Sequence, residues 1–141
     1  VMDVSNLDEL KNRLTIVATK ALKGMNLTPT LDIDIEASPV ELVGDTFKFI
    51  QLLGPHGQGN PTPVFLTREA ELIKVTYLGR NTKHLKIRLK HQGVIWDATA
   101  FWKGDEINRL TNKMDFVYNI GVDNWNGRNN LKLNILDFKP T

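Results

Sequence analysis

The sequence predicts an α+β protein in which a helix–strand–helix segment precedes a small β structure of five strands. Hydrophobic residues recur first at helical spacing and later in strict alternation. Between the two patterns, residues 54–63 read GPHGQGNPTP, and three glycines and three prolines in ten residues favour an ordered loop over helix or strand. The charge also divides there: residues 1–53 hold 5 basic and 8 acidic side chains, and residues 54–141 hold 13 and 8.

The first 53 residues predict two helices around one strand. Residues 5–22 carry a helical apolar stripe, which Gly24 ends. Residues 31–36 alternate apolar and acidic side chains, as in a half-buried strand. A second helix is expected to open at Ser38-Pro39, with proline at its first position. This segment buries too little to fold alone, so we expect it to be the tail of a larger α/β domain.

The acidic side chains of the predicted strand allow two interpretations. Asp32, Asp34 and Glu36 share one face, which is compatible with a metal site. No histidine or further carboxylate accompanies them, so a solvated strand face is favoured.

After the loop, the sequence predicts three strands, a short helix and two more strands. The strands are expected at 72–78, 83–91 and 94–102 and around 116–122 and 131–135, with the helix at 105–110. Asn126-Gly127 is a hairpin signal between the last two strands. This order in about 75 residues is that of an OB fold, a five-stranded Greek-key barrel.

The polar faces of these strands predict a nucleic-acid interface. Residues 72–96 hold six Lys/Arg and no Asp/Glu. Cations follow phosphates and exposed rings stack on bases. The predicted contact residues are His84, Lys86, Arg88, Lys90, Phe101, Trp125, Arg128 and Lys132. The alternative is a solvated basic strand whose aromatic rings complete the core, and the inward parity of Trp96 and Trp102 predicts that these two are core residues.

Several classes of function are not supported by the sequence. The three histidines, His56, His84 and His91, do not stand at metal-ligand spacing with acids, and the glycine loop lacks the Lys-Ser/Thr ending of a P-loop. We therefore expect no catalytic residue, no metal site and no cofactor in this chain. Cysteine is absent, which suits a cytoplasmic protein, and no apolar run is long enough to cross a membrane. Val1-Met2-Asp3 is unusual for a natural start, so an excised piece of a longer chain is expected.

The motifs also resemble those of a known family. GPHGQGNPTPVF at 54–65 is similar to the Pro-Phe-Gly-x-Gly-Asn-Pro signature of RecJ-type single-strand-specific exonucleases. The likeness continues through Leu78-Gly79, the KHLK run at 83–86, the ATAF run at 98–101 and the WNGR run at 125–128. It covers most of the chain and keeps the motif order.

The resemblance implies a domain plan and a parent activity. Residues 1–53 correspond to the end of a DHH-associated domain, 54–66 to a Gly/Pro-rich linker and 67–141 to an OB domain. The implied parent degrades single-stranded DNA from its 5′ end in DNA repair and recombination, with bound manganese or magnesium whose ligands lie upstream. This chain is therefore expected to hold single-stranded DNA without cutting it.

Departures from the family and competing functions qualify this interpretation. His56 stands where the family has Phe, and Asp123 and Lys132 stand where Asn and Gln are expected. The alternative function is a protein-docking OB module that recruits a replication or repair partner. The protein partners expected beside single-stranded DNA are a single-strand-binding protein or other repair proteins. A self-contained hydrolase is disfavoured because the metal ligands are missing.

Overall fold

The computed structural model describes residues 3–123 and 130–141 of the chain. The chain divides into two compact units, Val1–Leu31 and Asp32–Thr141. In the first unit a 3₁₀ turn, Val4–Asn6, leads into helix α1, Leu7–Leu22, which confirms the predicted helix. Acidic residues in the first turn of α1 and Lys20 in its last turn complement the helix dipole. None of the residues of α1 is buried.

The second unit is built on one sheet. Its strands are β1 (Ile35–Glu36), β2 (Phe65–Leu78), β3 (His84–His91), β4 (Val94–Ala100), β5 (Lys113–Asp123) and β6 (Asn130–Pro140). They follow the order β1-β2-β3-β4-β6-β5, and a further pairing of β2 with β5 closes the last five into a barrel. A 3₁₀ helix, Gly104–Arg109, joins β4 to β5. This is the predicted OB-fold topology, with β1 added in parallel at the start of β2.

The barrel interior is filled by the inward side chains of the alternating strands. On β3, Leu85, Ile87 and Leu89 are buried while Lys86 and Arg88 are exposed, as the alternation predicts. Burying each such aliphatic side chain stabilises the fold by about 1.5–3 kcal/mol relative to exposure. The other strands contribute Phe65, Ala70, Trp96, Ala98, Ala100, Met114, Phe116, Tyr118, Ile120, Leu133, Ile135 and Phe138.

The first barrel strand starts earlier than predicted. β2 begins at Phe65, and its register shifts between Thr67 and Ala70, where Glu69 has φ 53°. Arg68 and Glu69 interrupt the hydrophobic alternation, so the alternation did not predict that the strand includes residues 65–71. The bulge is held by the buried Asp115, whose carboxylate accepts the Glu69 N–H at 3.1 Å and pairs with Arg68 at 3.3 Å. The bulge bends β2, which pairs with β5 mainly through its first half and with β3 through its second.

The predicted strand at 31–36 is mostly wrong. Only Ile35–Glu36 pairs as a strand, because its partner is confined to Phe65 and Leu66 at the start of β2. Ile35 is 54% exposed, so the expected half-buried face does not form within the described residues.

The predicted second helix is divided in two. Ser38 caps a 3₁₀ helix, Pro39–Leu42, and α2 follows at Asp45–Leu52. Gly44 separates them with φ 62°, a left-handed conformation that glycine adopts at little cost. Val43, Phe47 and Ile50 pack against the barrel core, as their spacing predicted.

The Gly/Pro-rich stretch is an ordered loop, as predicted. Gly57 and Asn60 exchange backbone hydrogen bonds, and the Asn60 amide donates to the carbonyls of Leu53 and Pro55. Asn119 on β5 donates to the Pro63 carbonyl at 2.6 Å, which fixes the entry into β2. Within residues 3–123 and 130–141, no helix has the length and apolar character needed to cross a membrane.

Candidate nucleic-acid interface

A groove of about 880 Å³ runs along β3, β4 and β6. In OB folds, the face formed by the second and third barrel strands, here β3 and β4, binds oligonucleotides. Three predicted contact residues line the groove: Lys86 from β3, Phe101 just after β4 and Lys132 from β6. The remaining lining residues are Leu78, Val94, Ile95, Trp96, Asp97, Ala98, Thr99, Asn130 and Leu131.

The groove exists because β4 and β6 pair over only part of their length. The parallel register joins Ala98, Thr99 and Ala100 to Leu133, Asn134 and Ile135. Residues 94–97 of β4 and 130–132 of β6 lie outside this register and line the groove instead.

Lys86 stands in a row of neutral polar side chains. It lies opposite Thr76 on β2 and Thr99 on β4, and Thr99 lies opposite Asn134 on β6. Among the described residues, no carboxylate forms an ion pair with Lys86. Its positive charge at the groove is therefore available to an anionic ligand.

The other two cations of β3 are balanced by carboxylates. Arg88 donates from Nε to Asp97 Oδ1 at 3.1 Å, and this hydrogen bond and the adjacent charge raise the pKa of Arg88. Lys90 lies 3.9 Å from Glu71. Residues 72–96 contain six Lys/Arg and no Asp/Glu, so their composition did not predict these ion pairs. Both carboxylates, Glu71 and Asp97, lie immediately outside that range.

His84, which is partly buried, makes contacts with the residues that follow β4. Its Nδ1 accepts the backbone N–H of Trp102 at 2.9 Å. Its ring meets the rings of Phe101 and Trp102 edge-on, at centroid distances of 5.3 and 4.7 Å. His84 thus contacts both residues that follow β4, Phe101 and Trp102.

Two expectations for β4 need correction. Trp102, predicted as core, is 71% exposed because β4 ends at Ala100 and the chain turns, with φ 60° at Trp102. Sequence parity fails there, since alternation holds only while the strand continues. Thr99 was expected to face outward with Asp97 and Phe101 but is only 1% exposed, so strand parity alone did not predict its burial. Trp96 is buried, as predicted.

The six residues between β5 and β6, 124–129, are not among those that the structure describes. Trp125 and Arg128, two of the predicted contact residues, therefore lie outside the described residues and remain predictions.

The acidic residues before the barrel serve structural contacts. Asp34 accepts the Val64 N–H at 2.8 Å, and Glu36 accepts the Arg68 guanidinium at 2.8 Å. In the part of the chain that the structure describes, no three His, Asp or Glu side chains are grouped so as to hold a metal ion.

Comparison with known protein families agrees with the OB-fold barrel. The sequence model of the family described as RecJ OB domain matches residues 33–137. The chain belongs to this family. The match includes β1, all of β2 to β5 and most of β6, so it spans the whole candidate interface.

Individual relatives extend over the entire chain. The single-stranded-DNA-specific exonuclease RecJ of Bacillus subtilis (strain 168) is 23% identical over 138 residues, which are 96% of this chain and 18% of that protein. The structures of Thermus thermophilus RecJ in complex with Mn²⁺ and with Mg²⁺ match all of this chain, with TM-scores of 0.74 and 0.73 and identities of 24% and 22%. The chain covers 20% and 21% of those two structures, so it spans about a fifth of its relatives.

Proposed function

We propose that this chain binds single-stranded DNA along the groove on β3, β4 and β6. The observation that carries the proposal is the groove itself, which joins the uncompensated Lys86 to the half-exposed ring of Phe101. A cation beside a ring matches the alternation of phosphate and base in a single strand. Membership of the RecJ OB domain family supports the same ligand.

The groove favours an unpaired strand over a duplex for a physical reason. A ring such as Phe101 gains energy by stacking on a base whose face is free, and duplex bases are already stacked on each other. Phosphate contacts alone would not discriminate, since both forms carry the same charged backbone. We therefore expect the rings to set the preference and Lys86 to contribute affinity and salt dependence.

The longer protein that we propose as the parent is a RecJ-like exonuclease of the DHH family, acting 5′ to 3′ on single strands in DNA repair and recombination. The Bacillus subtilis relative is named a single-stranded-DNA-specific exonuclease, and the Thermus thermophilus relative is seen in complex with Mg²⁺ and with Mn²⁺. A divalent metal would supply the hydrolytic chemistry in such a parent. We propose that this chain presents the strand and leaves hydrolysis to other parts of the protein, in the cytoplasm that its lack of cysteine suits.

The test compares single-stranded and duplex DNA of equal length in a fluorescence anisotropy titration. The single strand should bind more tightly, and its log affinity should fall linearly with log salt, by about 0.7 per phosphate contact. Lys86→Ala should reduce that slope by about one contact. Lys48→Ala is the matched control, because Lys48 lies on α2 and pairs with Asp45 at 2.7 Å.

Two results would contradict the proposal. Equal affinity for single and double strands would indicate a general basic surface. Binding that does not respond to salt, or no DNA binding at all, would favour the docking of a protein partner on an apolar surface.

A further inference from the structure

An aromatic cluster lies at the end of β4 and shares Phe101 with the groove. It consists of Phe101, Trp102 and His84, and the Lys83 ammonium lies 5.4 Å from the centre of the Trp102 ring. The sequence placed Trp102 in the core, so the cluster is a feature that only the structure reveals. We call the three rings together with Lys83 the β4 aromatic cluster.

Trp102 contributes little to the stability of the fold. Its side chain is 71% exposed, and its φ of 60° is a conformation that a bulky residue adopts at a cost. An exposed ring on a strained backbone has no core to fill. Its backbone N–H is nevertheless fixed by the 2.9 Å hydrogen bond to His84 Nδ1, and the Lys83 ammonium stands over its ring.

The cluster continues the groove. Phe101 lines the groove and also contacts the His84 ring, which in turn contacts Trp102. His84 and Lys86 lie two residues apart on one strand and therefore on the same face. Cations accompany the rings along this path, with Lys86 at the groove and Lys83 at Trp102.

We infer that Trp102 is a second stacking site, which binds a base of the same DNA strand where that strand leaves the groove, with Lys83 beside the adjacent phosphate. This inference rests on the proposed function. Charge complementarity favours a nucleic acid as occupant, because the Lys83 ammonium lies 5.4 Å from the centre of the Trp102 ring and, among the described residues, forms no ion pair with a carboxylate. His84 acts as a positioning residue, since it holds the Trp102 backbone and does not itself need to touch the strand.

Trp102→Gly is the most informative substitution. Glycine removes the ring but keeps the positive φ and the N–H that donates to His84, so the melting temperature should stay the same or rise. Affinity for oligothymidylates that reach past the groove should fall about five- to hundredfold, the usual range for one stacked base. When oligothymidylates of about 4 to 16 nucleotides are compared, the length beyond which affinity no longer increases should be shorter for Trp102→Gly than for the wild type. Phe49→Ala is the control, because it removes an equally exposed ring from α2.

Two substitutions at His84 test its positioning role. His84→Asn retains a side-chain acceptor near the Nδ1 position and should bind DNA nearly as the wild type does. His84→Leu removes the acceptor and should weaken binding. In a double-mutant cycle, His84→Leu should have little further effect once Trp102→Gly is present, because both act through the same ring.

The outcomes separate this inference from the proposed function. If the wild-type chain does not bind single strands, the proposed function fails, and this inference fails with it. If the wild type binds, and Lys86→Ala weakens binding while Trp102→Gly leaves both affinity and length dependence unchanged, only this inference is overturned. A lower melting temperature for Trp102→Gly would also overturn it, by showing that the ring is structural.

Discussion

Replacing Gly104 with any larger residue is predicted to destabilise the fold, because the backbone of residues 82–83 occupies the place of a side chain. Gly104 opens the 3₁₀ helix after β4, is buried, and donates its N–H to the Lys83 carbonyl at 3.0 Å. A Cβ built at this position would lie 1.8 Å from the Thr82 carbonyl oxygen and 2.9 Å from the Lys83 carbonyl carbon. Both neighbours are backbone atoms, so no side-chain rotation relieves the clash.

The cost of Gly104→Ala follows from two terms. Overpacking of a tight site costs about 1–3 kcal/mol, and moving the loop away from the helix loses a hydrogen bond with a net contribution of about 0.5–1.5 kcal/mol. The total of roughly 2–4 kcal/mol should lower the melting temperature by about 10 °C or more for a unit of this size. The assay is thermal unfolding followed by circular dichroism.

Gly121→Ala is the matched control for this experiment. Gly121 lies on β5, has no positive φ, and has open space where a Cβ would stand. Its replacement should leave the melting temperature unchanged or raise it slightly, because alanine restricts the unfolded chain. The reasoning would be refuted if both variants melted within about 2 °C of the wild type, since the contact between Gly104 and residues 82–83 would then not constrain the fold.

Two further predictions concern charge and pH. Asp97→Asn should strengthen single-strand binding about fivefold at low salt, because it frees Arg88 from its ion pair and removes a negative charge from the groove. Arg88→Ala should instead weaken binding. Salt titrations of both variants measure these effects, and weaker binding by Asp97→Asn would contradict the prediction. Burial raises the pKa of Tyr118 from 10.0 to about 12. The folded state therefore favours the protonated hydroxyl, and this contribution to the free energy of unfolding is fully present below pH 10. It should decline by roughly 2–3 kcal/mol as the pH rises towards 12. Urea unfolding at pH 9 to 12 should show this decline in the wild type and a smaller one in Tyr118→Phe; parallel declines would refute the assignment.

The candidate interface shows how far strand parity can carry a prediction. Lys86 was placed on the polar face because Leu85 and Ile87 alternate with it, and the structure puts it at the groove. The same parity failed for Trp102, because it assumes a continuing strand and β4 stops at Ala100. Strand parity also does not predict which side chains of adjacent strands lie next to each other, so it did not predict the ion pairs of Arg88 and Lys90. Trp125 and Arg128 remain predictions from the hairpin signal.

The irregular parts of the fold were the least predictable. The bulge in β2 depends on Asp115, which lies 46 residues from Glu69 along the chain. The break between the 3₁₀ helix and α2 depends on the φ of Gly44, and a glycine within a helical pattern does not by itself require a break. Such contacts are tertiary and leave little trace in local hydrophobic spacing.

The sequence by itself determined the class of the fold, the order of the barrel strands, the inward residues of β3 and the position of the ordered loop. It could do so because alternation, helical spacing and Gly/Pro density act over a few neighbouring residues. Only the tertiary structure decided where β4 and β6 part to open the groove, which cations keep an uncompensated charge, and that the Trp102 ring faces solvent. Each of these depends on which distant residues the closed barrel brings together.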